Sequence, residues 1–117
     1  MKFYMLVNGQ IKETDNLQEA AEWFENPDNG RIAFDKIRNT EVSTIFTFIN
    51  QNFLGGPPLL FETMIFSPHQ EINQYRTLCS TLQEAHAMHT KAKALVVNYF
   101  AQLGQIPDSP IPGSPVS

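Results

Sequence analysis

The chain has 117 residues, 42% of them hydrophobic, which is enough for one ordinary core and leaves no second apolar block for another domain. Eight Lys and Arg against twelve Asp and Glu leave a net charge of -4, which argues against nucleic acid as a partner unless the few cations cluster tightly. No apolar run approaches the ~20 residues that a membrane-spanning helix needs, and the single Cys79 excludes an internal disulfide.

The opening run Met-Lys-Phe-Tyr-Met-Leu-Val is too short for the apolar core of a signal peptide and meets Asn8-Gly9 at once, so a reduced, cytoplasmic setting is expected. Asn8-Gly9 is the strongest hairpin signal in the chain, with Lys2 to Val7 as one arm and Gln10 to Glu13 as the other. Thr14, Asp15 and Asn16 offer N-caps for an amphipathic helix in which Leu17, Ala20, Ala21 and Phe24 recur at helical spacing, and Asn26-Pro27-Asp28-Asn29-Gly30 ends it. Arg31 to Ile37 then reads as a strand and Arg38-Asn39 as a tight turn. Thr40 to Asn50 returns antiparallel as a long strand, with Val42, Thr44, Phe46 and Phe48 on one face.

Gln51 to Pro58 is a loop in which Gly55-Gly56 opens backbone angles closed to other residues and Pro57-Pro58 removes two donors, so no ladder continues through it. A strand follows from Leu59 to Phe66, apolar on both faces except at Glu62, which is the pattern of a central strand covered on at least part of both sides. Ser67-Pro68-His69 breaks it, and Asn73 to Leu78 reads as an edge strand. Thr81 and Glu84 have capping-box spacing ahead of the last helix, where Leu82, Ala85, His89, Ala92, Val96, Tyr99 and Leu103 form one stripe at steps of three and four. Gly104 stops that helix, and Gln105 to Ser117, with four prolines, is expected to be an extended tail. The expected architecture is α+β: a single domain over residues 1–104 with an antiparallel four- to five-stranded sheet, Lys2 to Val7 included, and two helices packed on one face.

The run Val42-Ser43-Thr44-Ile45-Phe46, followed by Gly55-Gly56-Pro57-Pro58-Leu59-Leu60-Phe61-Glu62-Thr63-Met64-Ile65-Phe66, resembles a family of small uncharacterised bacterial and phage or prophage proteins. Its members carry Val-Ser-Thr-Val-Phe, a loop with Asp-His-Asn-Phe, a Gly-Pro-Pro-Leu-Leu-Phe-Glu-Thr-Met segment, an aromatic-rich strand, and a Glu-Ala helix with a Gly-His pair. The similarity spans most of the folded part. Here the loop reads Asn50-Gln51-Asn52-Phe53, so the Asp-His pair is absent, and Met88-His89 stands in place of Gly-His. Any chemistry that the loop pair carries in relatives is therefore missing from this chain. The resemblance implies a phage or mobile-element origin more than a mechanism.

Glu62 is the titratable group of most interest, because a carboxylate between Phe61 and Met64 on a central strand would have a raised pKa if buried and could act as a general acid or base. One carboxylate defines no reaction class. The preferred reading is therefore structural: Glu62 accepts hydrogen bonds from loop N–H groups or from Arg76 and holds the Gly-Gly-Pro-Pro turn. His86 and His89 stand three apart and could reach one metal, but no Cys-x-x-Cys or third helical ligand supports them, and neither a metal nor a cofactor is expected. Cys79 and one of these histidines could make a nucleophile and its base, although a buried, inert thiol is far more common.

Trp23 and Phe24 are assigned to the core and Phe53 and Leu54 to the loop surface. There, with Gly55, Gly56, Pro57 and Pro58, they form the expected contact for a protein partner. The leading expectation is a non-enzymatic protein-binding factor, encoded by a phage or mobile element and inhibiting a host defence protein, with homodimerisation through the sheet edge as a second use. The alternative is a small ligand-binding domain or hydrolase using Glu62, Arg76 and His89, which a pocket converging on Glu62 would favour.

Overall fold

The computed structural model describes residues 1–104, and the expected tail, Gln105 to Ser117, lies outside the described residues. Six strands occur in it, β1 (Phe3–Val7), β2 (Gln10–Thr14), β3 (Arg31–Ile37), β4 (Thr40–Phe46), β5 (Phe61–Phe66) and β6 (Arg76–Cys79). Four helices separate or follow them, α1 (Leu17–Glu25), α2 (Pro27–Gly30), α3 (Gln70–Asn73) and α4 (Leu82–Gly104). The fold is α+β, with an antiparallel sheet in the order β3-β4-β5-β6 and a separate hairpin of β1 and β2.

Local sequence chemistry accounts for most element ends. Asn8 and Gly9 take φ of +52° and +78°, and Val7 pairs with Gln10, so the two-residue hairpin turn forms where both residues tolerate positive φ. Asn16 caps α1 by accepting from the Glu19 N–H at 3.1 Å. At α4 the capping box is complete: the Thr81 hydroxyl accepts from the Glu84 N–H and the Glu84 carboxylate accepts from the Thr81 N–H, both at 3.1 Å. Pro27 opens the single turn of α2, where a loop was expected, because Asn26 accepts from the Asp28 N–H at 3.0 Å and Pro has no donor to lose.

Several boundaries differ from the sequence expectation. β4 ends at Phe46 and not at Asn50, since the Thr47 hydroxyl donates to the Ile49 carbonyl at 3.0 Å and so competes with the ladder. β5 starts at Phe61 and not at Leu59, because the Leu59 N–H donates to Asn50 Oδ1. Asn73 belongs to the α3 turn, in which the His69 carbonyl accepts from the N–H groups of Ile72 and Asn73, so the edge strand begins only at Arg76. β1 is not a strand of the main sheet; the Tyr4 N–H donates to the Phe48 carbonyl at 3.0 Å, beyond the end of β4.

The core lies between the sheet and α4. Alternation along β4 and β5 puts Val42, Thr44, Phe46, Phe61, Thr63 and Ile65 on the covered face, all fully buried. The α4 stripe meets them with Ala85, His89, Ala92, Val96 and Phe100, of which Phe100 is a member that the i, i+3, i+4 reading placed one position earlier, at Tyr99. α1 joins the same face through Trp23, whose ring stands edge-on to Phe46 at 5.5 Å. Burying each large apolar side chain here contributes about 1.5–3 kcal/mol, and Phe61→Ala would cost about 3–5 kcal/mol with its cavity. Among the described residues no helix covers the opposite face; Phe34 and Phe66 remain 41% and 47% exposed there. Among the described residues no helix is long and apolar enough to cross a membrane.

Candidate functional site

The segment between β4 and β5 is a braced protrusion. Asn50 Oδ1 accepts from the N–H groups of Asn52 and Leu59 at 2.8 and 2.9 Å, which pins the two ends of the loop to each other. Asn52 works from inside: its Nδ2 donates to the Pro57 carbonyl at 2.9 Å and its Oδ1 accepts from the Leu54 N–H at 3.1 Å. Gly55 and Gly56 reverse the chain at φ of +90° and +94°, angles that a side chain would make costly, and Pro57-Pro58 lead back to the sheet. At the tip Phe53 is 86% and Leu54 99% exposed. Phe53 does not fold inward to seal the sheet end.

Glu62, on the open face of β5, has the partner expected from the sequence. Arg76 of β6 donates through Nε to Glu62 Oε2 and through Nη2 to Gln51 Oε1. One guanidinium thus ties the central strand to the first residue of the loop. The Glu62 side chain is 12% exposed and Arg76 46%, so the pair sits at the surface end of the sheet.

His89 does not join them. Thr63, next to Glu62, points to the opposite face, and there the Thr44 hydroxyl bonds both Thr63 Oγ1 and His89 Nδ1, the latter at 2.8 Å. His89 Nε2 lies 2.8 Å from Asp35 Oδ2 of β3, and Lys93 Nζ lies 3.6 Å from the other carboxylate oxygen. The sheet therefore separates Glu62 and Arg76 from His89, and the three do not converge on one face among the described residues. A Thr–His–Asp chain resembles a nucleophile with its base and orienting acid, but Thr44 is fully buried, so no substrate carbon can reach its oxygen. The hydrogen bond from His89, followed by the effect of Lys93 against the opposing cost of burial, holds the Asp35 carboxyl below the usual carboxylate range.

No family model, curated protein or solved structure matches this chain.

The remaining candidates are dispersed. Cys79 donates to the Thr81 carbonyl at 3.6 Å, and burial, with the Glu84 carboxylate adding to it, pushes its thiol above the ordinary range, away from a nucleophilic thiolate. His86 is exposed, and among the described residues no three His, Cys, Asp or Glu side chains gather as a metal site. Asp35 and Thr44 were not singled out from the sequence. Thr44 lies between Val42 and Phe46 in the inward set of an alternating strand, and an inward hydroxyl facing a helix histidine was the available signal.

Proposed function

We propose that this chain is a small non-enzymatic protein-binding factor that inserts the tip of the Gln51 to Pro58 loop into a partner protein. The observation that carries the reading is the near-complete exposure of two adjacent large apolar side chains, Phe53 and Leu54, on a loop held at both ends by side-chain hydrogen bonds. A loop already fixed loses little conformational freedom on binding, and a Phe acting as a central anchor costs about 2 kcal/mol or more when truncated. The resemblance noted in the sequence extends the proposal to a factor of phage or mobile-element origin acting in the cytoplasm, with inhibition of a host defence protein as its role. The hydrolase alternative gains no support from geometry, since Glu62 and Arg76 lie across the sheet from His89.

The test compares wild-type protein with the double variant Phe53→Ala, Leu54→Ala as bait in host lysate, with melting curves run in parallel. A partner retained by wild type and lost by a variant of unchanged melting temperature is the expected result. Equal retention by both proteins would reject the loop as the interface.

A further inference from the structure

A groove lies along α4, beside α3 and the residues that lead into β6. This hollow, of about 630 Å³, runs from Gln102 near the end of the helix back to Lys91, with Ile72, Tyr75, Leu95 and Tyr99 as its walls. Eleven helical steps separate its two ends, so it is about 17 Å long. Its walls are set in advance. The Tyr99 hydroxyl donates to Glu71 Oε1 at 2.9 Å and its ring packs edge-on against His69 and Phe100, while the Tyr75 carbonyl accepts from the Ile65 N–H at 3.3 Å. Leu95, between the two tyrosines, is nonetheless 36% exposed.

Two tyrosines with aliphatic neighbours make the kind of wall on which proline-rich segments dock. The charges at the groove, Glu71 and Lys91, are opposite in sign and the Glu71 carboxylate already accepts from Tyr99, so a nearly neutral occupant suits it. The chain supplies one. Gln105 follows Gln102 by three positions, which starts the segment beyond α4 at the mouth of the groove. That segment opens with Ile106-Pro107-Asp108-Ser109-Pro110, and from Gln105 to Ser117 it holds four prolines and a single charged residue, Asp108.

We propose that the groove is a polyproline-type binding surface and that its occupant is this chain's own Ile106 to Pro110, folded back along α4. Five residues in the polyproline II form span about 16 Å, which matches the groove. At three residues per turn Pro107 and Pro110 share one edge and Ile106 lies on the next, so these three meet the walls. Asp108 falls on the third edge and stays in water, so no cation is needed to pair it. Asn98 and Gln102 border the groove with amide donors, the groups that the carbonyls of an extended segment require. Tethering at the mouth gives the segment an effective concentration of millimolar order, and its prolines have little freedom left to lose. A contact too weak to persist between separate molecules therefore closes within one. The groove is independent of the Phe53 and Leu54 contact.

The experiment is NMR of the isotope-labelled full chain. Order parameters above about 0.6 are expected at the Ile106, Asp108 and Ser109 amides, with NOEs from Ile106, Pro107 and Pro110 to Tyr75, Leu95 and Tyr99. Leu95→Gln puts another good helix former at a position outside the core clusters, and is expected to lower those order parameters below about 0.6 with an unchanged melting temperature. Should that variant lose its fold, the double variant Pro107→Gly, Pro110→Gly, which leaves residues 1–104 intact, is expected to release the segment in the same way. Order parameters below about 0.6 in the wild type would overturn the proposal, and so would order retained in both variants. NOEs to Phe34 and Phe66 on the open face of the sheet would overturn it as well. So would NOEs between labelled and unlabelled copies, which would give the groove to a second chain.

Discussion

His89 and Asp35 stand 54 positions apart in the chain and 2.8 Å apart in space, Nε2 to Oδ2. Through Nδ1 the same ring reaches Thr44, and Thr44 reaches Thr63, so one hydrogen-bonded chain joins β5, β4, α4 and β3. With the carboxylate accepting from Nε2–H, a neutral ring leaves Nδ1 as an acceptor for the Thr44 hydroxyl, and Thr63 donates to Thr44 in turn. Every side-chain polar atom of this network is then satisfied, which makes it a fixer of helix position on the sheet.

A double-mutant cycle tests that role. Thr44→Val leaves Nδ1 without its donor and His89→Leu leaves the buried Thr44 hydroxyl without its acceptor, so each is expected to cost about 1–3 kcal/mol in urea unfolding. The double variant removes both partners and should cost less than the sum by about 1 kcal/mol or more. Strict additivity would show that the two groups do not depend on each other.

Acid should reveal the Asp35 end of the network. Its pKa is depressed first by the hydrogen bond from His89 and then by Lys93, so the folded value lies below the unfolded value of about 3.9. The unfolded chain therefore takes up the proton first as pH falls. The stabilisation is complete above about pH 4 and is lost as pH drops through the folded value. Asp35→Asn should have a shallower loss of stability over that acid range than wild type, measured by urea midpoints. Parallel curves would mean that Asp35 does not contribute to the acid transition.

The loop makes a separate prediction. Asn50→Ala removes the acceptor for the N–H groups of both Asn52 and Leu59, so the ends of the loop come apart while its apolar tip is unchanged. A stability loss of about 0.5–1.5 kcal/mol is expected, with faster hydrogen exchange at the Leu59 amide. Affinity for the proposed partner should fall as well, although the tip is unchanged, because the loop must then be ordered on binding. An Asn50→Ala protein with unaltered exchange at Leu59 would show that Gly55, Gly56, Pro57 and Pro58 hold the loop without it.

Period and punctuation carried much of the fold. The i, i+3, i+4 stripe from Ala85 to Val96, the Thr81 and Glu84 capping box and the Asn8-Gly9 turn are local signals, and each forms as its spacing requires. Strand ends were harder to read, because Thr47 and Asn50 stop β4 by bonding their own neighbourhood, a choice that hydrophobic alternation does not register. That the β1–β2 hairpin stands apart from the main sheet was not legible for a related reason: pairing partners across long separations leave no periodic trace. At the candidate site, Phe53, Leu54, Glu62 and Arg76 could be named from neighbouring residues. Asp35 could not, since its link to His89 depends on how β3 and α4 meet.

Glu62 and Arg76 provide the last test, because the pair joins strand to loop and one of its members is half exposed. Glu62→Gln keeps an acceptor for Arg76 but removes the charge that strengthens the bond, and with Arg76 46% exposed the attraction is already screened by solvent. A loss of about 0.5–1.5 kcal/mol is therefore expected. Arg76→Ala should go further in one respect, since it also releases Gln51 and with it the start of the loop. Both variants should melt slightly lower than wild type, and Arg76→Ala should in addition speed amide exchange at Asn52 and Leu54. If Glu62→Gln instead kept full thermal stability and lost partner binding, Glu62 would belong to the interface, and the open face of β5 would have to be counted among the contact surfaces.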